Sequence, residues 1–350
     1  MRNRQTSPIH PDWQTNRRTF IKASVASLMH VTMGSYCSQT FAQTRPNTVR
    51  FGIATDPHYT ERIYGTRYCN QSLDKLAECV ELMNKQEVDF LVELGDFKDQ
   101  DDPPVEVNTL SYLQSIEAVF RQSRGPTYHV LGNHDLDSIS KSQFLSHIKN
   151  TNIAFELSYY AFDVNGLHFV VLDANFTSSG IDYDHGNFNW TDANIPAVEL
   201  QWLEQDLARA EGPAILLIHQ LLDGAGSHYV NNAADVRKIL EASGKVMAVF
   251  QGHYHAGSYH EIQGIHYYTL KAMVEGSGVQ NNAYAIVEVH ADRSITVSAY
   301  RKAVRQKLPA RCSIADLNGD CLVDFKDLAV MAENWLDPGL VVIPKGRPVR

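Results

Sequence analysis

The sequence predicts an α/β fold, and three observations carry that prediction. Short apolar runs alternate with stretches of helical spacing from residue 49 onward. Five of those runs break off at Asp, Asn or His, which in an α/β protein marks the carboxyl ends of strands. The composition, 44% hydrophobic and 20% charged over 350 residues, is that of a globular chain long enough to bury a core without covalent staples. It also excludes disorder over the whole length. Five cysteines without zinc-ribbon spacing exclude a disulfide scaffold. No run of eighteen apolar residues exists, so no membrane span is expected. A net charge of −9 argues against a general nucleic-acid binder, which needs a basic face.

The elements follow in order. Residues 49–55 form an apolar strand run ending at Asp56-Pro57-His58. Residues 72–84 carry Leu73, Leu76, Val80 and Leu82-Met83 at helical spacing. Residues 90–94 are a short buried-type strand ending at Gly95-Asp96, and 110–120 are helical again. Residues 128–131 form a strand ending at Gly132-Asn133-His134-Asp135. Residues 159–172 read as a hairpin around Asn165-Gly166, a strong turn signal. An amphipathic helix over 198–210 places Trp202, Leu203 and Leu207 on one side. Strands over 214–218 and 245–250 end at His219 and at Gly252-His253-Tyr254-His255. The remainder to about Lys302 reads as hairpins, one of them around Gln263-Gly264. Five donor-bearing strand ends are thereby expected at one edge of one sheet.

Residues 1–42 do not read as fold. Asn16-Arg17-Arg18-Thr19-Phe20-Ile21-Lys22 is a basic region followed by a mildly apolar stretch. The arginine pair resembles the twin-arginine export signal of bacteria, and Thr40-Phe41-Ala42 is a small-x-small cleavage pattern. Export to the periplasm or the exterior is expected, with Cys37 a weaker lipid-anchor alternative. Loss of this basic segment leaves the remainder more acidic, so an anionic substrate must be drawn by local charge.

The donors Asp56, His58, Asp96, Asn133, His219, His253 and His255 are all oxygen or imidazole groups. That mixture excludes a soft thiolate site and suits Zn, Mn or Fe. Seven donors with one shared carboxylate suit two metals. The pairs 56/58 and 253/255 are spaced i, i+2, and in extended backbone such residues point to one side. Any one of these residues alone is more often a capped or solvated polar group; their ordered conjunction is what carries the reading.

Asp56-Pro57-His58, Gly95-Asp96-Phe97-Lys98-Asp99, Gly132-Asn133-His134-Asp135, Ile218-His219 and Gly252-His253-Tyr254-His255 together resemble the calcineurin-like metallophosphoesterase superfamily over residues 48–302. The resemblance implies a two-sheet β-sandwich flanked by helices, an α/β/β/α arrangement. It implies that Asp56, His58, Asp96 and His255 hold one metal. Asp96, Asn133, His219 and His253 would hold the second, with Asp96 bridging. The chemistry needs such groups: two cations neutralise phosphoryl oxygens and lower the pKa of a shared water. The leaving oxygen then needs a proton. His134, beside Asn133, is the expected general acid or transition-state stabiliser. Asp99 matches the family's acid that orients it, and Asp135 is expected to stand behind the ligands or to serve a turn.

Ile63-Tyr64-Gly65-Thr66-Arg67-Tyr68 and residues 270–276 are similar to the manganese-dependent ADP-ribose/CDP-alcohol diphosphatase branch. His58 departs from that branch, which has Gln there. The likeness implies a small phosphorylated, nucleotide-linked substrate. Arg67 is a candidate phosphate clamp, because a guanidinium binds phosphate bidentately; a solvated loop arginine is the equal alternative. A nonspecific phosphatase and an interaction protein displaying an inactive domain are the rival readings. Seven costly polar groups kept at strand ends speak against inactivity.

Asp316, Asn318, Asp320, Leu322 through its carbonyl, Asp324 and Asp327 have calcium-loop spacing, and a helix-like stretch follows from Leu328. This resembles one dockerin repeat, which implies a cell-surface or cohesin-like partner, although dockerins carry two. Cys312 and Cys321 flank the first half of the loop and could pair after export; Cys69 and Cys79, ten residues apart on a helix, could not. The domain boundaries are thus 1–42, 45–310 for the phosphoesterase, 311–337 for the calcium repeat and 338–350 for a flexible tail. Truncation after Ala310 is expected to leave the hydrolase folded. Calcium is expected to protect 311–337 from protease only while Asp316 and Asp327 are intact. Equal protection of the double alanine variant would place the site elsewhere.

Overall fold

The computed structural model describes residues 48–310 apart from 186 and 188, together with 317 and 325–334. The chain divides after Arg45, and the architecture is that of the second unit, Pro46–Arg350. The expected export segment 1–42, the expected calcium-loop donors Asp316, Asn318, Asp320, Leu322 and Asp324, the cysteines Cys312 and Cys321, and residues 338–350 lie outside the described residues.

The described strands are β1 Val49–Ala54, β2 Phe90–Glu93, β3 Thr127–His129, β4 Tyr160–Val164, β5 Leu167–Val171, β6 Ala214–Leu217, β7 Val246–Gln251, β8 Ser258–Ile262, β9 Ile265–Thr269, β10 Ala283–Val289, β11 Ile295–Arg301 and β12 Gln306–Leu308. The helices are α1 Ser72–Gln86, α2 Glu106–Phe120, α3 Lys141–His147, α4 Ala197–Arg209, α5 Ala233–Ser243 and α6 Phe325–Asn334. The strands form two six-stranded sheets, ordered β12-β11-β10-β1-β2-β3 and β4-β5-β6-β7-β9-β8. In the first sheet β1, β2 and β3 run parallel. In the second β5, β6, β7 and β9 do.

Both faces of the central strands are buried, which is why they read as unbroken apolar runs. The inward faces meet between the sheets, where Phe51 and Phe90 stack at 4.9 Å and Phe169 meets Phe90 edge-on at 5.0 Å. Each such buried ring contributes roughly 1.5–3 kcal/mol by leaving water. The outward face of the first sheet packs on α1, α2 and α3. That of the second packs on α4 and α5. Leu76, Val80 and Met83 turn one face of α1 inward, and Gly52 leaves room for it: a Cβ there would stand 2.6 Å from Met83 Sδ. The order of layers is therefore α/β/β/α.

Asn165-Gly166 and Gln263-Gly264 both close two-residue hairpins, each with two successive positive φ angles. Two helices were not foreseen. α3 is announced by a capping box, in which Ser140 Oγ accepts from Gln143 N–H and the Gln143 side chain accepts from Ser140 N–H. α5 buries only Ala233, Val236 and Leu240, a short stripe. The helix-like stretch expected from Leu328 lies within α6, which begins three residues earlier at Phe325, and Asp327 of α6 accepts a hydrogen bond from Leu317 N–H at 2.7 Å.

The expectation of one sheet edge is corrected. The donor-bearing strands are divided, β1, β2 and β3 in one sheet and β6 and β7 in the other. Apolar runs reveal burial on both faces but not which strand neighbours which. The two sets of carboxyl ends nevertheless meet: the His219 ring beyond β6 donates from Nδ1 to Leu94 O beyond β2, at 2.7 Å.

Candidate metal centre

Four of the expected donors sit where the strand has just ended in left-handed backbone: Asp56 (φ 53°), His58 (47°), Asp96 (55°) and His253 (65°). Such a conformation costs a residue with a side chain on the order of 1–3 kcal/mol and persists only where its surroundings over-determine it. Here backbone bonds supply that. Asp56 N–H donates to Gly95 O at 3.0 Å and His58 N–H to Asp96 O at 2.9 Å. Gly252 N–H donates to His219 O at 3.0 Å. The i, i+2 pairs are therefore not extended, and the reason given for their common direction is corrected. His58 stays with Asp56, whereas His253 and His255 join different groups of donors.

The glycines before the donors are required by space. A Cβ on Gly132 would stand 2.1 Å from Asp96 N, and one on Gly252 would stand 2.1 Å from Thr55 Oγ1. Asp135 ties the same loops together. Its carboxylate accepts from the N–H groups of Asp96 (3.0 Å), Phe97 (2.8 Å), Lys98 (3.3 Å) and Gly132 (2.8 Å). It thereby fixes the Asp96 loop against the Asn133 loop.

The donors converge from five segments. Asp56, His58 and His255 offer ligand atoms within 4.8 Å of one another, and so do Asp96, His219 and His253. Asp96 Oδ2 stands between the groups, 3.4 Å from His58 Nε2 and 3.1 Å from His219 Nε2. His58 Nε2 and His255 Nε2 face each other at 3.2 Å, and Asp56 Oδ1 lies 3.4 Å from His255 Nε2. Asn133 lines the same cleft. Tautomers are set from behind. His219 donates from Nδ1 to a carbonyl and His255 donates from Nδ1 to Glu275 Oε1 at 2.7 Å, so both turn Nε2 lone pairs inward.

Whether cations fit is decided by satisfaction of these atoms. Asp56 Oδ1, both amide atoms of Asn133, His219 Nε2 and His253 Nε2 are buried without a hydrogen-bond partner. Buried polar atoms are normally paired, and the four of these that carry lone pairs, all but the Asn133 amide nitrogen, need an occupant that accepts them. The electrostatics agree. Burial alone would raise the Asp56 carboxyl, but the neighbouring imidazoles of His255, His58 and His219 hold it well below the usual range. Burial likewise opposes ionisation of Asp96, and His219, His134 and His58 overcome it. Burial pushes His253 down to about 3, with His219 adding to the effect. Hard or borderline divalent cations match this oxygen and imidazole set.

His134 stands at the rim. Its ring Nδ1 lies 3.1 Å from Asp99 Oδ1, and its backbone N–H donates to Asp96 Oδ1 at 2.7 Å. Burial would lower this imidazole, but the carboxylates of Asp99 and Asp96 hold it well above the ordinary range. Asp99 also reaches His58 Nδ1, at 3.3 Å, a second contact that spacing did not reveal. A cleft of about 200 Å³ over the cluster is lined by Arg67, Asp96, Asn133, His134, His253 and His255, with Trp190 and His228 on its wall. A second, of about 270 Å³, shares Arg67 and His134 and continues along Thr60, Arg62, Tyr64 and Gln100. Trp190 and His228 escaped notice because they sit in loops without a local motif.

A sequence model of calcineurin-like phosphoesterases matches residues 49–257. The chain belongs to that family. This calcineurin-like phosphoesterase is a metal-dependent phosphoester hydrolase, and its α/β/β/α layers are those the resemblance implied. It is 26% identical to a manganese-dependent ADP-ribose/CDP-alcohol diphosphatase of Oryza sativa subsp. japonica over 307 residues, covering 75% of this chain and 94% of the relative. A probable cyclic nucleotide phosphodiesterase of Fibrobacter succinogenes is 25% identical over 177 residues, 49% of this chain and 59% of the relative. Among solved structures, a dimetal phosphatase of Danio rerio superposes with a TM-score of 0.62 at 18% identity, over 75% of this phosphoesterase and 98% of that chain.

Proposed function

We propose that the protein hydrolyses phosphodiester or diphosphate substrates carrying a substituent on each side of the reacting phosphorus, nucleotide-linked diphosphates first among them. The observation that carries this is the pair of clefts that share Arg67 and His134. One cleft overlies the donor cluster; the other offers polar room for a further group. The name of the rice relative points to the same substrate class.

In this reading Asp56, His58, Asp96 and His255 hold one cation, and Asp96, Asn133, His219 and His253 the other, from Mn, Fe or Zn. When bound, the pair supplies Lewis-acid neutralisation of the phosphoryl oxygens and a water of lowered pKa. The chain does the rest. Arg67, which forms backbone hydrogen bonds to Tyr64 in both directions, lines both clefts, and its guanidinium orients the anion. Asp99 holds the His134 ring by Nδ1, so a proton for the leaving oxygen runs through the other nitrogen.

The test is a manganese-loaded panel of ADP-ribose, bis-p-nitrophenyl phosphate, cAMP and p-nitrophenyl phosphate. ADP-ribose is expected to give a kcat/KM at least about tenfold above the monoester, the worth of one charge-assisted hydrogen bond. Arg67→Ala is expected to raise KM for ADP-ribose about 10- to 100-fold with a smaller change in kcat, and Arg67→Lys to recover part of it. A monoester turned over best would favour the nonspecific phosphatase. No turnover with two metals bound would favour the interaction protein.

A further inference from the structure

Behind the first group of donors runs a segment, residues 272–276, whose ties to the site are made almost wholly by backbone. Ala272 N–H donates to His255 O at 3.1 Å, Met273 N–H to Thr55 O at 3.0 Å and Val274 N–H to Asp56 O at 3.1 Å. On its other side Tyr68 N–H donates to Val274 O at 3.1 Å and Gly276 N–H to Thr66 O at 2.9 Å. Glu275 itself pairs with Arg67 as an antiparallel bridge. Two ammonium groups fasten the segment from below. Lys75, fully buried, donates to the carbonyls of Met273 (2.8 Å), Val274 (3.1 Å) and Gly276 (2.7 Å), and Lys302 donates to the Glu275 carbonyl. The segment thus keeps its place whatever side chain stands at 275.

The side chain of Glu275 does something separate. Its Oε1 accepts the Nδ1–H of His255 at 2.7 Å. A carboxylate can only accept from that nitrogen, so it selects the tautomer whose Nε2 carries the lone pair. That lone pair points at the cluster, 3.4 Å from Asp56 Oδ1. The side chain is about a quarter exposed, so its removal leaves no buried charge unpaired.

We propose that Glu275 is a positioning residue for metal binding: it sets the tautomer and angle of His255 for the first metal position, and its backbone carries the Arg67 arm on the same rigid segment. This rests on the reading of His255 as a ligand. A carboxylate behind a ligating imidazole is worth about 10- to 100-fold in metal affinity.

The experiment is calorimetric titration of the full metal-free chain with MnCl₂, alongside its melting temperature without metal and the Mn²⁺ concentration for half-maximal activity. Wild type is expected to bind two equivalents. Glu275→Ala should weaken one of them about 10- to 100-fold, leave the other, and shift half-activation upward by a similar factor, with kcat at saturating Mn²⁺ and the metal-free melting temperature little changed. Glu275→Gln keeps an acceptor oxygen and should fall between. A merely structural role would lower the melting temperature of the metal-free chain without singling out one equivalent, and that result overturns the proposal. Two equivalents at wild-type affinity in both variants overturn it as well. If wild type itself binds no Mn²⁺, the metal reading falls and this proposal with it.

Discussion

Asp96→Asn is expected to lose most of both bound metals and to lower turnover by at least about 10³-fold. Its carboxylate is the group that stands between the two sets of donors, with Oδ2 facing His58 Nε2 and His219 Nε2 together. An amide there either turns a donor N–H toward those lone pairs or offers a single neutral oxygen. Charge neutralisation at the phosphoryl group is worth several kcal/mol, and about 4 kcal/mol is a factor of 10³. Metal content by plasma emission and turnover of ADP-ribose check it together. The backbone should stay in place, because Asp135 holds the Asp96, Phe97 and Lys98 N–H groups independently of the substituted side chain. Two metals per chain with good activity would refute the bridging role of Asp96.

His134→Gln is expected to act differently, with metal retained and kcat lowered by roughly 10²–10⁴. The residue borders both clefts and its ring is held by Asp99, while its backbone N–H donates to Asp96. The loss should shrink for p-nitrophenyl esters, whose leaving group needs no proton. Asp99→Asn should fall between the two cases, because Asp99 reaches His58 as well as His134. Loss of metal in His134→Gln would make His134 a ligand and its assignment as proton donor wrong.

The legible part of this protein is local. Asn165-Gly166 announced a hairpin because only two residues with positive φ close that turn, and the two apolar runs beside it had to pair. Helix α1 was visible in Leu76, Val80 and Met83 because one face of a helix recurs every three to four residues. α5 was missed because its buried stripe is only three residues long. The glycines before Asp96, Asn133 and His253 were visible as letters, but the reason for Gly132 and Gly252 is the approach of another loop. No local pattern could supply that. The partners of Asp135 were hidden for the same cause, since three of its four hydrogen bonds come from a loop 37 to 39 residues away.

By itself the sequence determined the α/β alternation, the apolar faces and the set of oxygen and imidazole donors at five strand ends. These are properties of short segments, dictated by side-chain periodicity and by where an apolar run stops. Only the tertiary structure decided how the donors are grouped. It divided their strands between two sheets, set His253 and His255 in different clusters, gave Asp99 two imidazoles to hold and brought Glu275 behind His255. The physical reason is reach. The Asp56 and His253 segments, 197 residues apart, touch through a 3.1 Å hydrogen bond. A contact of that kind depends on how two sheets pack, and side-chain periodicity within either strand carries no record of it.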